Sequence, residues 1–159
     1  MSTLAVIWGS AGCLFATACP VIVETLPATA HLILAAMPEP ALGLLDYRGV
    51  LIPVVDVARL LGRPSAPARM CNRTLVVRSS VMNETPASLI GLRVERIVDL
   101  DRLDFEGPRS HPGFELDHAR FLGPVVQTRW GPVQAVNADE LFTPEQARLI
   151  LARVKERPA

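Results

Sequence analysis

The chain has 159 residues and carries 16 basic and 16 acidic residues, so its formal net charge at neutral pH is zero. This balance gives no positively charged surface for nucleic acids or anionic lipids. The length suits a single domain that buries its own core. The hydrophobic fraction of 50% indicates either a dense core or apolar surface that contacts partners.

The first predicted elements lie in an unusual segment, because residues 4–23 carry no charge. A segment of this length can span a bilayer, and the small residues before Cys19 resemble a secretory cleavage site. An exported or lipid-anchored β protein is therefore one alternative. The turn signal "GSAG" and Pro20 interrupt the segment, which favours two strands, "TLAVIW" and "CLFATA", joined by a tight turn. A short helical turn is then predicted over residues 20–27.

The next segment predicts a β-hairpin followed by a short helix. "LGLLDYR" and "VLIPVVDV" are typical of buried strands, and Arg48-Gly49 lies between them. Pro53 lacks an N–H donor, so the second strand is expected at a sheet edge or a bulge. Asp56 is expected to cap the helix "VARLL", which Gly62 ends.

The second half of the chain predicts further strands and one clear helix. "RTLVVRS" is typical of a strand, and residues 89–100 are typical of a strand with one solvent-exposed face that is kinked or bulged near Arg96. Residues 101–120 are polar and contain several proline and glycine residues, which predicts an irregular loop. Two short strands around "RWG" precede the helix "TPEQARLILARVKE", whose Thr143 and Gln146 form a capping box.

One pattern occurs twice along the chain: a strand, a tight turn, a second strand and a short helix that begins at Asp or Asn. The two copies are "LGLLDYRGVLIPVVDVARLL" and "LGPVVQTRWGPVQAVNADELF". This recurrence predicts two similar β units within one domain.

Residues that could carry catalysis or bind a metal lack the spacing that such sites need. No phosphate-binding, dinucleotide-binding or nucleophile-elbow motif occurs. The histidines and one acidic group show no metal-ligand spacing: His31, His111 and His118, and Asp99, Asp101, Asp104 and Glu106. We interpret the acidic group as a solvated loop and expect no enzyme activity, no cofactor and no metal. An acid–base pair formed by residues distant in the chain stays open as an alternative.

The three cysteines are Cys13, Cys19 and Cys71, and they form no C-x-x-C pair. Their odd number leaves at least one of them without a disulfide partner within the chain. We expect small buried side chains in a reducing compartment. A disulfide or a metal site is the alternative.

The segment "ALGLLDYRGVLIPVVDVARLLG" resembles the signature of CheW-like domains, the family of bacterial chemotaxis coupling proteins. In that signature a glycine precedes N-x-R-G, an apolar strand ends in P-[VI]-[VI]-D-L, and a glycine closes a short helix. The matching positions are Gly43, Arg48, Gly49, Pro53, Asp56 and Gly62. Asp46 stands where the family usually has asparagine, and Glu95 stands where it usually has aspartate. Upstream "IVE" and the later strands also match in order, so the resemblance covers nearly the whole chain.

The resemblance implies an all-β fold of two small, SH3-like, five-stranded β-barrel subdomains with short helices and a C-terminal helix. It implies a single domain over residues 1–159, with intertwined subdomains and a hinge near residues 80–100. The implied function is that of a non-enzymatic, cytoplasmic signalling adaptor in chemotaxis or a related pathway, such as pilus motility. The implied partners are the cytoplasmic tip of a chemoreceptor, a CheA-type histidine kinase and other CheW-like domains. Nucleic acid and direct membrane insertion are not expected.

The resemblance also implies which residues contact partners: Ile22, Glu24, Gly43, Arg48 and Gly49. Several of these residues have a purely structural alternative. Arg48 either folds back onto an acid such as Asp46 or Glu24, or contacts a receptor helical hairpin. Ile22 either packs in the core or touches a partner. Gly43 either permits close approach or forms a bulge, and Gly49 supplies a turn conformation.

Overall fold

The computed structural model describes residues 1–27, 32–33, 37–65, 67–82, 88–113 and 119–155. Within these ranges the chain forms twelve strands and two α-helices. The strands are β1 (Thr3–Ser10), β2 (Cys13–Ala18), β3 (Ile22–Pro27), β4 (Leu32–Ile33), β5 (Ala41–Tyr47), β6 (Val50–Asp56), β7 (Arg73–Arg78), β8 (Leu89–Val94), β9 (Arg96–Leu103), β10 (Ser110–His111), β11 (Leu122–Thr128) and β12 (Gly131–Val136). The helices are α1 (Val57–Leu60) and α2 (Pro144–Lys155).

The strands form two six-stranded sheets, each with five longer strands and one strand of two residues. Sheet 1 has the order β10-β11-β12-β2-β1-β9, and sheet 2 has the order β3-β7-β8-β6-β5-β4. The chain begins sheet 1, builds all of sheet 2, and then returns to complete sheet 1. The predicted all-β class with two β subdomains is confirmed. Among the described residues, however, backbone pairing leaves both sheets open rather than closed into barrels.

Burial of both faces of the strands produces three apolar clusters. On β1, Ile7 belongs to a cluster inside sheet 1, whereas Trp8 belongs to a central cluster between the sheets. On β6, Val54 belongs to a cluster inside sheet 2, whereas Val55 joins the central one. Because successive side chains point to opposite faces, both faces must be apolar. This burial accounts for the uncharged segment over residues 4–23.

The structure corrects one prediction about prolines fully and a second in part. A helical turn was predicted over residues 20–27. The chain instead forms a 3₁₀ turn over Cys19–Val21 and then strand β3. Strand β6, which contains Pro53, lies inside sheet 2 and not at its edge, but its pairing with β5 has the bulge that was the other expectation, opposite Val54 and Val55. The parallel pairing of β6 with β8 begins only at Val54. Pro53 lies before that position, so its missing N–H does not interrupt this pairing.

The prediction of an irregular loop over residues 101–120 is wrong at its start, since β9 continues to Leu103 and β10 covers Ser110–His111. Aspartates make this polar strand possible at the sheet edge. The Asp99 side chain accepts a hydrogen bond from the Leu100 N–H at 2.8 Å, and the Asp101 side chain accepts one from the Arg102 N–H at 2.8 Å. His31 and His118 lie outside the described residues.

The chain crosses from sheet 2 to sheet 1 at Glu95, so residues 89–100 form two strands and not the single kinked strand that was predicted. The Glu95 N–H donates to the Gly9 carbonyl at 3.1 Å, and its side chain accepts from the Ala11 N–H at 3.0 Å. Its carbonyl accepts from the Asn72 side chain at 3.0 Å. Glu95 therefore bonds to residues of both subdomains, and the hinge near residues 80–100 stays a prediction.

Helix α2 begins as its capping box predicts. The Gln146 N–H donates to Thr143 Oγ1 at 3.1 Å, and the Thr143 N–H donates to Gln146 Oε1 at 2.9 Å. The apolar side of the helix, which includes Ala147 and Ile150, packs into the central cluster. The helix therefore covers the joint between the two sheets.

The cysteines differ from the expectation of burial. Cys13 and Cys71 are exposed, Cys19 is half-buried, and all three thiols are free. Cys13 follows the β1–β2 turn and Cys71 lies in the loop before β7, where neither side chain reaches an apolar cluster. No helix in the described ranges is long and apolar enough to cross a membrane.

Replacing Glu95 tests the crossover. Glu95→Ala should lower the free energy of unfolding by about 1–2 kcal/mol, because the Ala11 N–H loses its acceptor. Glu95→Gln should cost less, since an amide oxygen still accepts. Urea denaturation followed by tryptophan fluorescence measures both variants, with Glu106→Ala at an exposed position as the control. Equal midpoints for Glu95→Ala and the control would contradict this role.

Candidate partner-binding site

The Arg48-Gly49 turn closes the hairpin of β5 and β6. Tyr47 pairs with Val50, and both turn residues have positive φ, 52° for Arg48 and 85° for Gly49. This combination is typical of a two-residue type I′ turn. A Cβ at Gly49 would meet no atom within 4 Å, so the backbone angle and not crowding favours glycine. The Gly49 N–H donates to Asp46 Oδ1 at 2.9 Å, an acceptor that asparagine would also supply.

Arg48 bonds to Glu24, which lies on β3 at the edge of the same sheet. Arg48 Nη2 donates to Glu24 Oε2 at 3.2 Å, and the Tyr47 hydroxyl donates to the same oxygen at 2.6 Å. The Arg48 guanidinium carbon lies 5.4 Å from the centre of the Tyr47 ring. We call these three residues, Glu24, Tyr47 and Arg48, the Arg48 cluster.

In the Arg48 cluster, the arginine bonds to a residue of its own domain and is also exposed to solvent. The Arg48 side chain is 75% exposed and that of Glu24 is 35% exposed. Arg48 therefore folds back onto Glu24, as one interpretation expects, while its guanidinium still faces solvent. Surface ion pairs of this kind contribute little to stability, so the guanidinium can exchange its partner at low cost.

The hydrogen bond to Glu24 is the main reason that the pKa of Tyr47 lies above its ordinary value of 10.0, and burial adds to the effect. The positive charge of Arg48 acts in the opposite direction and lowers the pKa of Tyr47. The phenol therefore keeps its proton and remains a donor at neutral pH. Tyr47 is the member of the cluster that sequence reasoning missed. An aromatic residue with a hydroxyl next to the turn arginine was the available signal.

The remaining predicted residues lie farther from the turn. Ile22 begins β3 and is half-buried against the central cluster. Gly43 is buried on β5, where the pairing with β6 shifts register between Ala41 and Gly43. The structure thus brings Glu24 and Arg48 together beside Gly49. Gly43 lies at a bulge, as its structural alternative expects, and Ile22 lies two residues before Glu24.

Two other features bear on binding chemistry. Within the described ranges, no three His, Cys, Asp or Glu side chains lie close enough together to hold a metal ion. A groove of about 660 Å³ lies between sheet 1 and the segment after α1, and its lining includes Leu61, Arg63 and Trp130. No residue of the Arg48 cluster lines this groove.

The architecture is that of a two-subdomain β domain with an arginine-glycine hairpin turn at its surface. Residues 7–146 match the family model of the CheW-like domain, so the chain belongs to the CheW-like domain family. The fold is similar to the crystal structure of the scaffolding protein TtCheW from Thermoanaerobacter tengcongensis, with a TM-score of 0.72 and 19% sequence identity. That match covers 89% of this chain and 93% of the other. A comparison with curated proteins finds no match.

The single tyrosine of the chain allows a direct test of the Arg48 cluster, because phenolate absorbance reports Tyr47 alone. The midpoint should lie above the ordinary value of 10.0. Glu24→Gln should lower it and Arg48→Gln should raise it further, since the two neighbours act in opposite directions. The Tyr47–Glu24 bond should stabilise the fold below the ordinary pKa and lose this effect as pH rises through the raised pKa.

Circular dichroism at each pH should show that the chain remains folded during the titration. An Arg120→Gln variant changes an exposed arginine outside the cluster and should leave the midpoint unchanged. Shifts of the same sign in Glu24→Gln and Arg48→Gln would contradict the arrangement described here.

Proposed function

We propose that this protein is a non-enzymatic signalling adaptor that couples chemoreceptors to a CheA-type histidine kinase. The match of the CheW-like family model over residues 7–146 carries this proposal. The similarity in fold to a protein described as a scaffolding protein supports it. The adaptor acts in the cytoplasm beside receptors, in chemotaxis or a chemosensory-like pathway such as pilus motility. Other CheW-like domains are further partners.

The Arg48 cluster is the surface that we assign to the receptor tip. Arginine is enriched among the residues that contribute most to protein interfaces, and this guanidinium faces solvent from a rigid hairpin turn. Val23, beside Glu24 on β3, exposes 38% of its surface and adds apolar area. An amphipathic receptor helix can place its apolar side on such a surface and an acidic residue against Arg48.

The five residues assigned to partners then act in different ways. Arg48 and Glu24 offer charged groups at the surface, and Ile22 offers the edge of the central cluster. Gly49 acts through the turn angle that presents Arg48. Gly43 is buried, so it shapes β5 and has no side chain to offer a partner.

Arg48→Ala should weaken binding to receptor-tip fragments by roughly tenfold or more, as expected for an arginine at the centre of an interface. Co-sedimentation of the purified protein with receptor-tip fragments and kinase measures this. The melting temperature should fall by no more than a few degrees, since an exposed ion pair is worth about 1 kcal/mol or less. Tyr47 also keeps its bond to Glu24 in this variant.

Two other arginines serve as matched controls. Arg63→Ala changes an exposed arginine of the groove, and Arg120→Ala changes an exposed arginine elsewhere. Both should bind the receptor tip as the unchanged protein does. Loss of binding in Arg63→Ala alone would move the receptor site to the groove. A folded protein that binds neither receptor tip nor kinase would refute the adaptor function.

A further inference from the structure

Sheet 1 contains a second cluster of the same kind as the Arg48 cluster: an acid, an arginine and an aromatic residue. Asp99 Oδ2 accepts hydrogen bonds from Arg129 Nη2 at 2.5 Å and from the Trp130 indole N–H at 3.3 Å. The Arg129 guanidinium carbon lies 5.0 Å from the centre of the Trp130 ring. We call Asp99, Arg129 and Trp130 the Arg129 cluster. As in the Arg48 cluster, one carboxylate oxygen binds an arginine and the aromatic residue next to it.

The surroundings of the two clusters also correspond. Each arginine–aromatic pair lies at the tip of a hairpin, and the second strand of each hairpin leads to a capped turn of helix. Asp56 accepts from the Ala58 N–H at 2.9 Å, and Asn137 accepts from the Asp139 N–H at 3.0 Å. The recurring sequence pattern that contains "DYRG" and "TRWG" therefore corresponds to two similar structural units.

Each cluster joins one edge strand of an open sheet to the hairpin turn that lies beside the other edge. Asp99 lies on β9, one edge of sheet 1, whereas Arg129 and Trp130 lie in the turn after β11, next to the other edge strand, β10. Glu24 lies on β3, one edge of sheet 2, whereas Arg48 lies in the turn after β5, next to the other edge strand, β4. In sheet 1, a gap of about 340 Å³ separates residues 101–104 from residues 126–129.

We propose that the Arg48 and Arg129 clusters are clasps: each holds one edge strand of its own sheet to the hairpin beside the other edge, where backbone pairing is absent among the described residues. Loss of one clasp opens its own sheet and leaves the other sheet closed. An exposed arginine pair contributes little by itself, but in each clasp the carboxylate also accepts a phenol or indole bond, so two bonds close the clasp. The Asp99 side chain is only 27% exposed, so water competes less for these bonds.

Electrostatics support the clasp in sheet 1. The hydrogen bond from Arg129, followed by the bond from the Leu100 N–H, holds the pKa of Asp99 below its ordinary value. The same partnership raises the pKa of Arg129. Both groups are therefore charged at neutral pH, as a closed clasp requires.

Opening of one sheet leaves the joint between the sheets in place. The gap in sheet 1 is lined by Leu103 and Val126, which belong to the inner cluster of that sheet. The joint depends on other bonds, such as that from the Ser79 hydroxyl to the Ala138 carbonyl at 2.8 Å. Opening at Asp99 therefore exposes the inner cluster of sheet 1 while the central cluster stays packed.

Hydrogen exchange at the hairpin that each edge acid contacts tests the clasps in the full chain without any partner. Asp99→Ala should accelerate exchange of the Gln127 amide, which donates to the Arg109 carbonyl at 3.1 Å across from β9. Glu24→Ala should accelerate exchange of the Val50 amide at the β5–β6 turn. We expect an acceleration of about fivefold in each case, as for a small shift in a local opening equilibrium.

Each variant should leave the amides of the other sheet unchanged. Arg129→Gln should reproduce the effect of Asp99→Ala at Gln127, although it leaves the bond from the Leu100 N–H to Asp99 in place. The control is Glu140→Ala, because Glu140 forms an ion pair with Arg120 at 3.8 Å and neither residue belongs to a clasp. Changes confined to the residues next to each substitution, or equal changes in Glu140→Ala, would overturn the proposal.

Discussion

Burial of both faces of the strands is the constraint on which the rest of this structure depends. Neighbouring residues such as Ile7 and Trp8 enter different apolar clusters, so strands such as β1 and β6 have no solvent-exposed face along most of their length. A sheet of this kind is stable only if each face meets other apolar surface. The two sheets therefore pack through a shared central cluster, and helix α2 covers part of it.

This constraint also decides where charged residues lie. With little room for charge on the strand faces, polar side chains collect at hairpin turns, at sheet edges and at the crossover. Glu95 accepts a hydrogen bond at the crossover between the sheets. Aspartates accept hydrogen bonds from backbone N–H groups of β9, and Arg48 lies at the turn of a hairpin. In an adaptor, the turns that are free to carry charge are then also the places where a partner finds polar anchors.

At Arg48, the same side chain contributes to both stability and binding. The guanidinium holds an edge acid of its own sheet and yet faces solvent. A partner that offers an acid to Arg48 would compete with Glu24, while Tyr47 keeps its bond to Glu24 and limits the loss. In sheet 1, Arg129 and Trp130 likewise donate to one oxygen of an edge acid, Asp99.

The sequence by itself determined most local features of this protein. Most of the longer strands, the Arg48-Gly49 turn, the cap at Asp56 and the capping box at Thr143 were predictable, because each depends on residues only a few positions apart. The family resemblance rested on the same local signature.

Only the tertiary structure decided how distant segments meet. It divided residues 89–100 between two sheets, placed Pro53 inside a sheet, and chose Glu24 rather than Asp46 as the partner of Arg48. It also brought Asp99, which we expected to be solvated, against Arg129 and Trp130. Such contacts depend on strand order and register, which arise from packing among residues far apart in the chain and leave no local pattern.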